Sequence, residues 1–162
     1  MRLICLAGSV ILLLALCGCG VYSFSAGGKA PFSSINVAPF ENNTREFLLG
    51  DRLTDAVVEA FINDNSVQIK EQSRAEAFMN GTVLSYLRQA HTYDKQDNVE
   101  SYTIKVSVRI KVVKANTEDV IWEDDFFAEG IYNALTEVEE DGQSRVIARL
   151  TNDIINYATK SW

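Results

Sequence analysis

The chain has 162 residues, with 15 Lys and Arg against 22 Asp and Glu, a formal net charge of −7. Such a length fits one domain. Such a charge excludes a generic nucleic-acid binder, which needs a basic face, and a domain lying flat on an anionic bilayer.

Residues 3–16 are almost wholly apolar and follow a single charge, Arg2. The run is too short to span a bilayer comfortably as a helix and has the form of a signal-peptide core. Its end resembles the lipobox of bacterial lipoproteins, with Leu16 at −3, Cys17 at −2, Gly18 at −1 and Cys19 as the lipidated residue. Cys5 and Cys17 leave with the signal, so the mature chain is expected to hold neither a free thiol nor a disulfide. One acyl chain binds a membrane only marginally, whereas two or more anchor it. Gly20, rather than Asp, follows the cysteine and points to the outer membrane. The expected organisation is a signal peptide over 1–18, a lipidated N-terminus and linker over 19–34, and one α+β domain over 35–162. The Gly- and Ser-rich linker is short, so the domain works close to its membrane.

Ile35 and Val37 alternate with polar residues, predicting a short strand closed by Pro39. Asn43 and Glu46 have the spacing of a capping box. Leu49, Leu53, Val57, Ala60 and Phe61 then recur at helical intervals, predicting a helix over about 46–62 that stops at NDN. Residues 66–69 suit another brief strand, and 78–90 a strand with Gly81 inside it. HTYDKQDNVES reads as a polar loop. From Tyr102 to Val112 apolar and polar residues alternate strictly, the pattern of a half-buried antiparallel strand. Residues 119–129 form the next strand, with Trp122, Phe126 and Ala128 on one side and Glu123, Asp125 and Glu129 on the other. Thr136 and Glu139 suggest a second capping box, and Val146, Leu150, Ile154 and Tyr157 make the buried stripe of a last helix. The expected fold is an α+β two-layer sandwich, with two amphipathic helices on a four- to five-stranded, mostly antiparallel sheet.

The residues for catalysis are missing. A lone His91 in a polar stretch, near Asp94 and Asp97, supplies neither a triad nor a zinc site. Asp124 and Asp125 point to opposite faces of their strand, so they cannot act as a carboxylate pair. No cofactor or metal is expected, and the reading is of a protein that is not an enzyme. The suggestive surface is the polar side of the long strand, where Lys105, Arg109 and Lys111 span about 20 Å. Arg88, near the end of the preceding strand, is a further candidate for this patch. These cations suit an anionic ligand such as phosphorylated lipid head groups. Pairing with Glu123, Asp125 and Glu129 across the strands is the stronger expectation for them.

Cys19-Gly20 with Tyr22 behind it, INVAPFENNT, LGDRLTDAVVEAF, NGTVLSY, VRIKVV and VIWEDDF stand in the order of landmarks of the LptE family. The chain thus resembles the lipopolysaccharide-assembly lipoproteins over nearly its whole mature length. The resemblance implies two helices on a four-stranded sheet. It also implies an outer-membrane lipoprotein, anchored by acyl chains on the periplasmic side, that plugs a large LptD-like β-barrel and helps it assemble. The ligand so implied is lipopolysaccharide, with Lys105, Arg109, Lys111 and Arg88 as candidate contacts. INVAPFENNT also resembles the start of outer-membrane lipoproteins that activate peptidoglycan synthases. Those carry a long disordered linker after the cysteine, which this chain lacks.

Overall fold

Strict alternation along one strand fixes the architecture, because it gives the sheet one dry face and one wet face. The computed structural model describes residues 30–160. The expected signal peptide, Cys19 and most of the linker lie outside the described residues. The elements are β1 (Ser34–Val37), β2 (Glu41–Asn42), α1 (Leu49–Asp64), β3 (Gln68–Ile69), β4 (Ala77–Tyr93), β5 (Val99–Lys114), β6 (Val120–Asn133) and α2 (Glu139–Lys160). The sheet runs in the order β3-β1-β4-β5-β6, with β2 lying beside β4 further along the edge that β1 occupies. β1 is parallel to both β3 and β4, and β4-β5-β6 form an antiparallel meander. The α+β two-layer class is as expected, with six strands instead of four or five because β2 adds two residues.

Both helices cover the dry face. Ile104, Val106, Val108, Ile110 and Val112 of β5 are buried, as are Leu53, Val57 and Phe61 of α1 and Val146, Leu150 and Ile154 of α2. Gly81 sits inside β4 because a Cβ there would lie 2.5 Å from Phe40 Cγ, where the Phe40 ring crosses the strand.

Helix ends differ from the capping boxes the spacing predicts. Leu48 precedes α1 in the left-handed region (φ 60°), and no side chain caps it. Asn42 and Thr44 instead organise the loop: Asn42 Oδ1 accepts from Thr44 N–H at 3.0 Å, and Asn42 Nδ2 donates to Glu46 O at 2.7 Å. α1 ends as NDN suggests, with left-handed Asn65 donating its N–H to Phe61 O. At α2 the reaching-back acid is Asp141, whose Oδ2 accepts the Val138 N–H at 3.0 Å. Thr136 is instead held through its own N–H by Asn133 Oδ1.

The predicted polar loop after residue 90 is shorter than expected. β4 and β5 stay paired out to Tyr93 and Val99, and only 94–98 turn the chain, with Asp94 Oδ1 accepting from the N–H groups of Gln96 and Asn98. β4 therefore begins beside β1, where the described chain enters, and ends at this turn on the opposite pole. β6 likewise runs on to Asn133.

β6 is the outer strand on its side, and side chains close its free edge. Arg145 Nη1 donates to Ile131 O at 2.6 Å and Arg149 Nη1 to Glu129 O at 2.5 Å. Glu137 Oε2 accepts the Asn133 N–H at 2.7 Å, and Asp124 Oδ1 the Asp125 N–H at 2.8 Å. Such coverage blunts a strand edge against unwanted pairing.

Candidate functional site

The wet face of β5 carries Lys105, Ser107, Arg109 and Lys111, and the antiparallel register sets each opposite a residue of β6. Lys105 faces Glu129 at 3.5 Å, and Lys111 faces Glu123 at 3.9 Å. Arg109 grips Asp125 with two hydrogen bonds, from Nε at 2.7 Å and Nη2 at 2.8 Å, and lies 4.0 Å from Glu123. All three cations and their three acids remain about one-third to one-half exposed. The face is thus a ladder of cross-strand ion pairs, the second of the two arrangements the sequence allows. An arriving anion must compete with a carboxylate at each rung. Lys105 and Lys111 are the easier rungs, because a bidentate guanidinium–carboxylate pair is the more specific contact. Exposed Leu87, Phe127 and Ile131 lie on the same face around the Lys105–Glu129 pair.

Arg88 does not join this patch. Before Leu84 the even residues of β4, Asn80 and Thr82, stand opposite Lys111 and Arg109 on the wet face. A bulge at Leu84 inserts one unpaired residue and inverts the alternation, so Arg88 pairs with Ile104 on the helix side. There its guanidinium lies 3.8 Å from the centre of the Tyr102 ring, its Nε donates to Tyr132 OH at 2.6 Å, and Glu139 is 3.3 Å away. Tyr102 and Tyr132 stack at 5.5 Å.

These contacts belong to a polar network that the sequence reading missed. Tyr86 OH donates to Glu139 Oε1 at 2.5 Å, and Gln143 Nε2 lies 3.2 Å from both Tyr86 OH and Glu46 Oε2. Arg52 Nη1 donates to Gln143 Oε1 at 2.5 Å. Burial pushes the Tyr86 phenol well above its ordinary range, and the hydrogen bond to Glu139 adds to the rise. The network ties the loop before α1 to the first turns of α2 and to β4. Its one legible signal was Tyr86 and Arg88 two residues apart on one strand face.

Four carboxylates, three exposed and Glu137 half-buried, are held below their ordinary range. Asp125 is lowered by its hydrogen bonds from Arg109, Glu137 by Arg145, Glu76 by the Ser33 N–H, and Asp94 by Asn98. A carboxylate with a depressed folded pKa stabilises the fold above its unfolded value near 4. That contribution is lost as pH falls through the folded value. The urea midpoint of the domain is therefore expected to drop steadily below about pH 4, and Asp125→Asn should flatten part of that slope. A midpoint level from pH 6 to pH 3 would contradict this.

Among the described residues, no three His, Cys, Asp or Glu side chains converge to hold a metal ion, and no helix is long and apolar enough to cross a membrane. His91 lies in β4, exposed.

The family model for LptE, described as lipopolysaccharide-assembly, matches residues 32–158. The chain belongs to the LptE family. Membership carries a role in lipopolysaccharide assembly, and that role is one of a non-catalytic assembly factor. The LptE match begins at Phe32, the first buried aromatic among the described residues, and ends near the last turn of α2. Solved structures share the fold at low identity. A Xanthomonas campestris protein superposes with a TM-score of 0.61 at 9% identity, covering 83% of this chain and 87% of its own. The PelC dodecamer from Paraburkholderia phytofirmans gives 0.55 at 18% identity, covering 83% and 96%. A minor lipoprotein from Acinetobacter baumannii gives 0.51 at 15% identity, covering 78% and 91%. A comparison with curated proteins returns no match.

Proposed function

We propose that this LptE-family chain is an outer-membrane lipoprotein, anchored through acyl chains on Cys19 after removal of residues 1–18. In this reading the folded domain, 35–162, is joined by a short linker over 19–34 and occupies the lumen of a large β-barrel that delivers lipopolysaccharide to the cell surface. The match to the lipopolysaccharide-assembly family over residues 32–158 carries the reading. The physical form supports it: large outer-membrane barrels have polar lumens that a folded domain can fill. Such a domain needs a hydrophilic exterior, which the ion-pair ladder of β5 and β6 supplies.

The chemistry is noncovalent. Lys105, Arg109 and Lys111 are the proposed lipopolysaccharide contacts, each exchanging a carboxylate on β6 for a phosphate oxygen of the glycolipid. A phosphate carries more charge than a carboxylate and so competes for each cation, most readily where water still hydrates the displaced acid. Arg88, bound into the tyrosine network, serves the fold.

Purification of the full chain in mild detergent, followed by mass spectrometry, tests the reading. A large outer-membrane barrel should copurify, and Cys19→Ser should release the chain from the membrane. Recovery of a penicillin-binding protein in place of a barrel would transfer the chain to the synthase-activator class. The double reversal Lys105→Glu, Arg109→Glu should weaken lipopolysaccharide binding about tenfold or more, with thermal unfolding still cooperative. Unchanged binding would return the ladder to a purely structural role.

A further inference from the structure

The two long edges of the sheet are treated differently. β6 has its carbonyls and N–H groups covered by Arg145, Arg149, Glu137 and Asp124. On the other side, β1 and β2 pair with β4 only at Ala77–Met79 and at Thr82–Val83. Beyond Val83, β4 runs ten residues further with β5 on one side and no strand on the other among the described residues.

The register says which groups this edge presents. Arginines take the outward carbonyls of Glu129 and Ile131, so Ala128, Gly130 and Tyr132 turn inward to bond β5. Their partners Val106, Ile104 and Tyr102 are thereby committed to β6. Tyr86, Arg88 and Ala90, which stand opposite those three, must turn their own N–H and C=O outward. Val83 fits the same rule before the bulge, since its C=O accepts the Asn43 N–H at 3.0 Å.

We infer that the β4 edge from Tyr86 to Ala90 accepts an extended segment of the barrel partner as an added strand, in line with β2; this rests on the plug reading above. Main-chain hydrogen bonds supply the attraction in such strand addition, and side-chain pockets supply the choice. The segment enters through a groove of about 390 Å³ whose lining includes Asn43, Thr44, Arg45, Glu46, Leu84 and Tyr86. Leu87 (52% exposed) lies within this stretch of β4 as an apolar contact. Two devices that protect an edge, proline and outward lysine, are absent from residues 84–93; the bulges at Leu84 and after Ala90 confine the regularly paired stretch to Ser85–Ala90. The net charge of −7 opposes pairing with a second copy and favours a neutral or basic segment.

The test compares hydrogen exchange, resolved to single amides, in the full lipidated chain alone and in its complex with the copurified barrel. The Tyr86, Arg88 and Ala90 amides should slow at least a hundredfold in the complex. Ala90→Pro removes an outward N–H while sparing the β4–β5 ladder, and should lower complex recovery at least tenfold. Ala90→Val, which keeps that N–H, should not, and isolated Ala90→Pro should still melt cooperatively. If a barrel copurifies but the three amides exchange as before, strand addition is wrong and the plug reading stands. Failure of any barrel to copurify would overturn the plug reading itself, and this inference with it. Protection that appears in the isolated chain as its concentration rises would assign the edge to a second copy and overturn the choice of partner.

Discussion

Phe61→Ala should lower the stability of the domain by about 4 kcal/mol, the middle of the range for a buried phenylalanine. Phe61 is wholly buried in the core that α1 shares with the sheet and α2. Removing the ring forfeits its transfer free energy and leaves a void that these elements can close only by moving together. Domains of this size are stable by about 5–15 kcal/mol, so one substitution removes a large fraction. Urea titration should show a lower midpoint at nearly unchanged slope. A loss under about 1 kcal/mol would mean that the core collapses around the gap and that α1 is less firmly seated than its burial implies.

Gly130→Ala should cost about 3 kcal/mol, by overpacking. A Cβ at this position of β6 would lie 2.5 Å from Gly142 O and 2.9 Å from Val146 Cγ2. The first obstacle is main chain, so no rotamer change relieves it. Gly142 faces the same restriction, since its own Cβ would meet Tyr132 Cδ1 at 2.7 Å. The two glycines let strand and helix touch, and α2 must lift for either to grow. Lifting its first turns would draw Glu139 and Gln143 away from Tyr86 and Arg88. Reduced protection of the α2 amides in native-state hydrogen exchange should therefore accompany the lower midpoint. A variant as stable as the parent would show that the contact between β6 and α2 is looser than these distances require.

How much of this was legible in the sequence depends on whether the signal was periodic. β5 could be read residue by residue, because strict alternation from Tyr102 to Val112 has one structural meaning. Both helices were visible in their apolar spacing, and the pairing of Lys105, Arg109 and Lys111 with acids on β6 followed from adjacent strands. The caps were misplaced because short polar side chains such as Asn42, Thr44 and Asp141 choose among several neighbouring backbone groups, and spacing does not rank them. The hairpin was underestimated because residues 91–101 are polar on both faces where the arm leaves the core. The placement of Arg88 turned on the bulge at Leu84, one residue with no local signature, set by how β4 must bend over its neighbours. The network around Tyr86 and Gln143 joins residues up to 97 positions apart, and beyond the i, i+2 spacing of Tyr86 and Arg88 no pattern in the chain announces it.

The course of β4 gives the domain a built-in compass. Its first residue lies beside β1, near where the described chain enters, and its last lies about 50 Å away at a rise of 3.3 Å per residue. Tethered as proposed above, through a lipidated Cys19, the domain would carry its Asp94–Asn98 tip at the pole away from the leash. Whatever meets that tip does so at a depth set by strand length, a dimension that neither charge nor side-chain chemistry can alter.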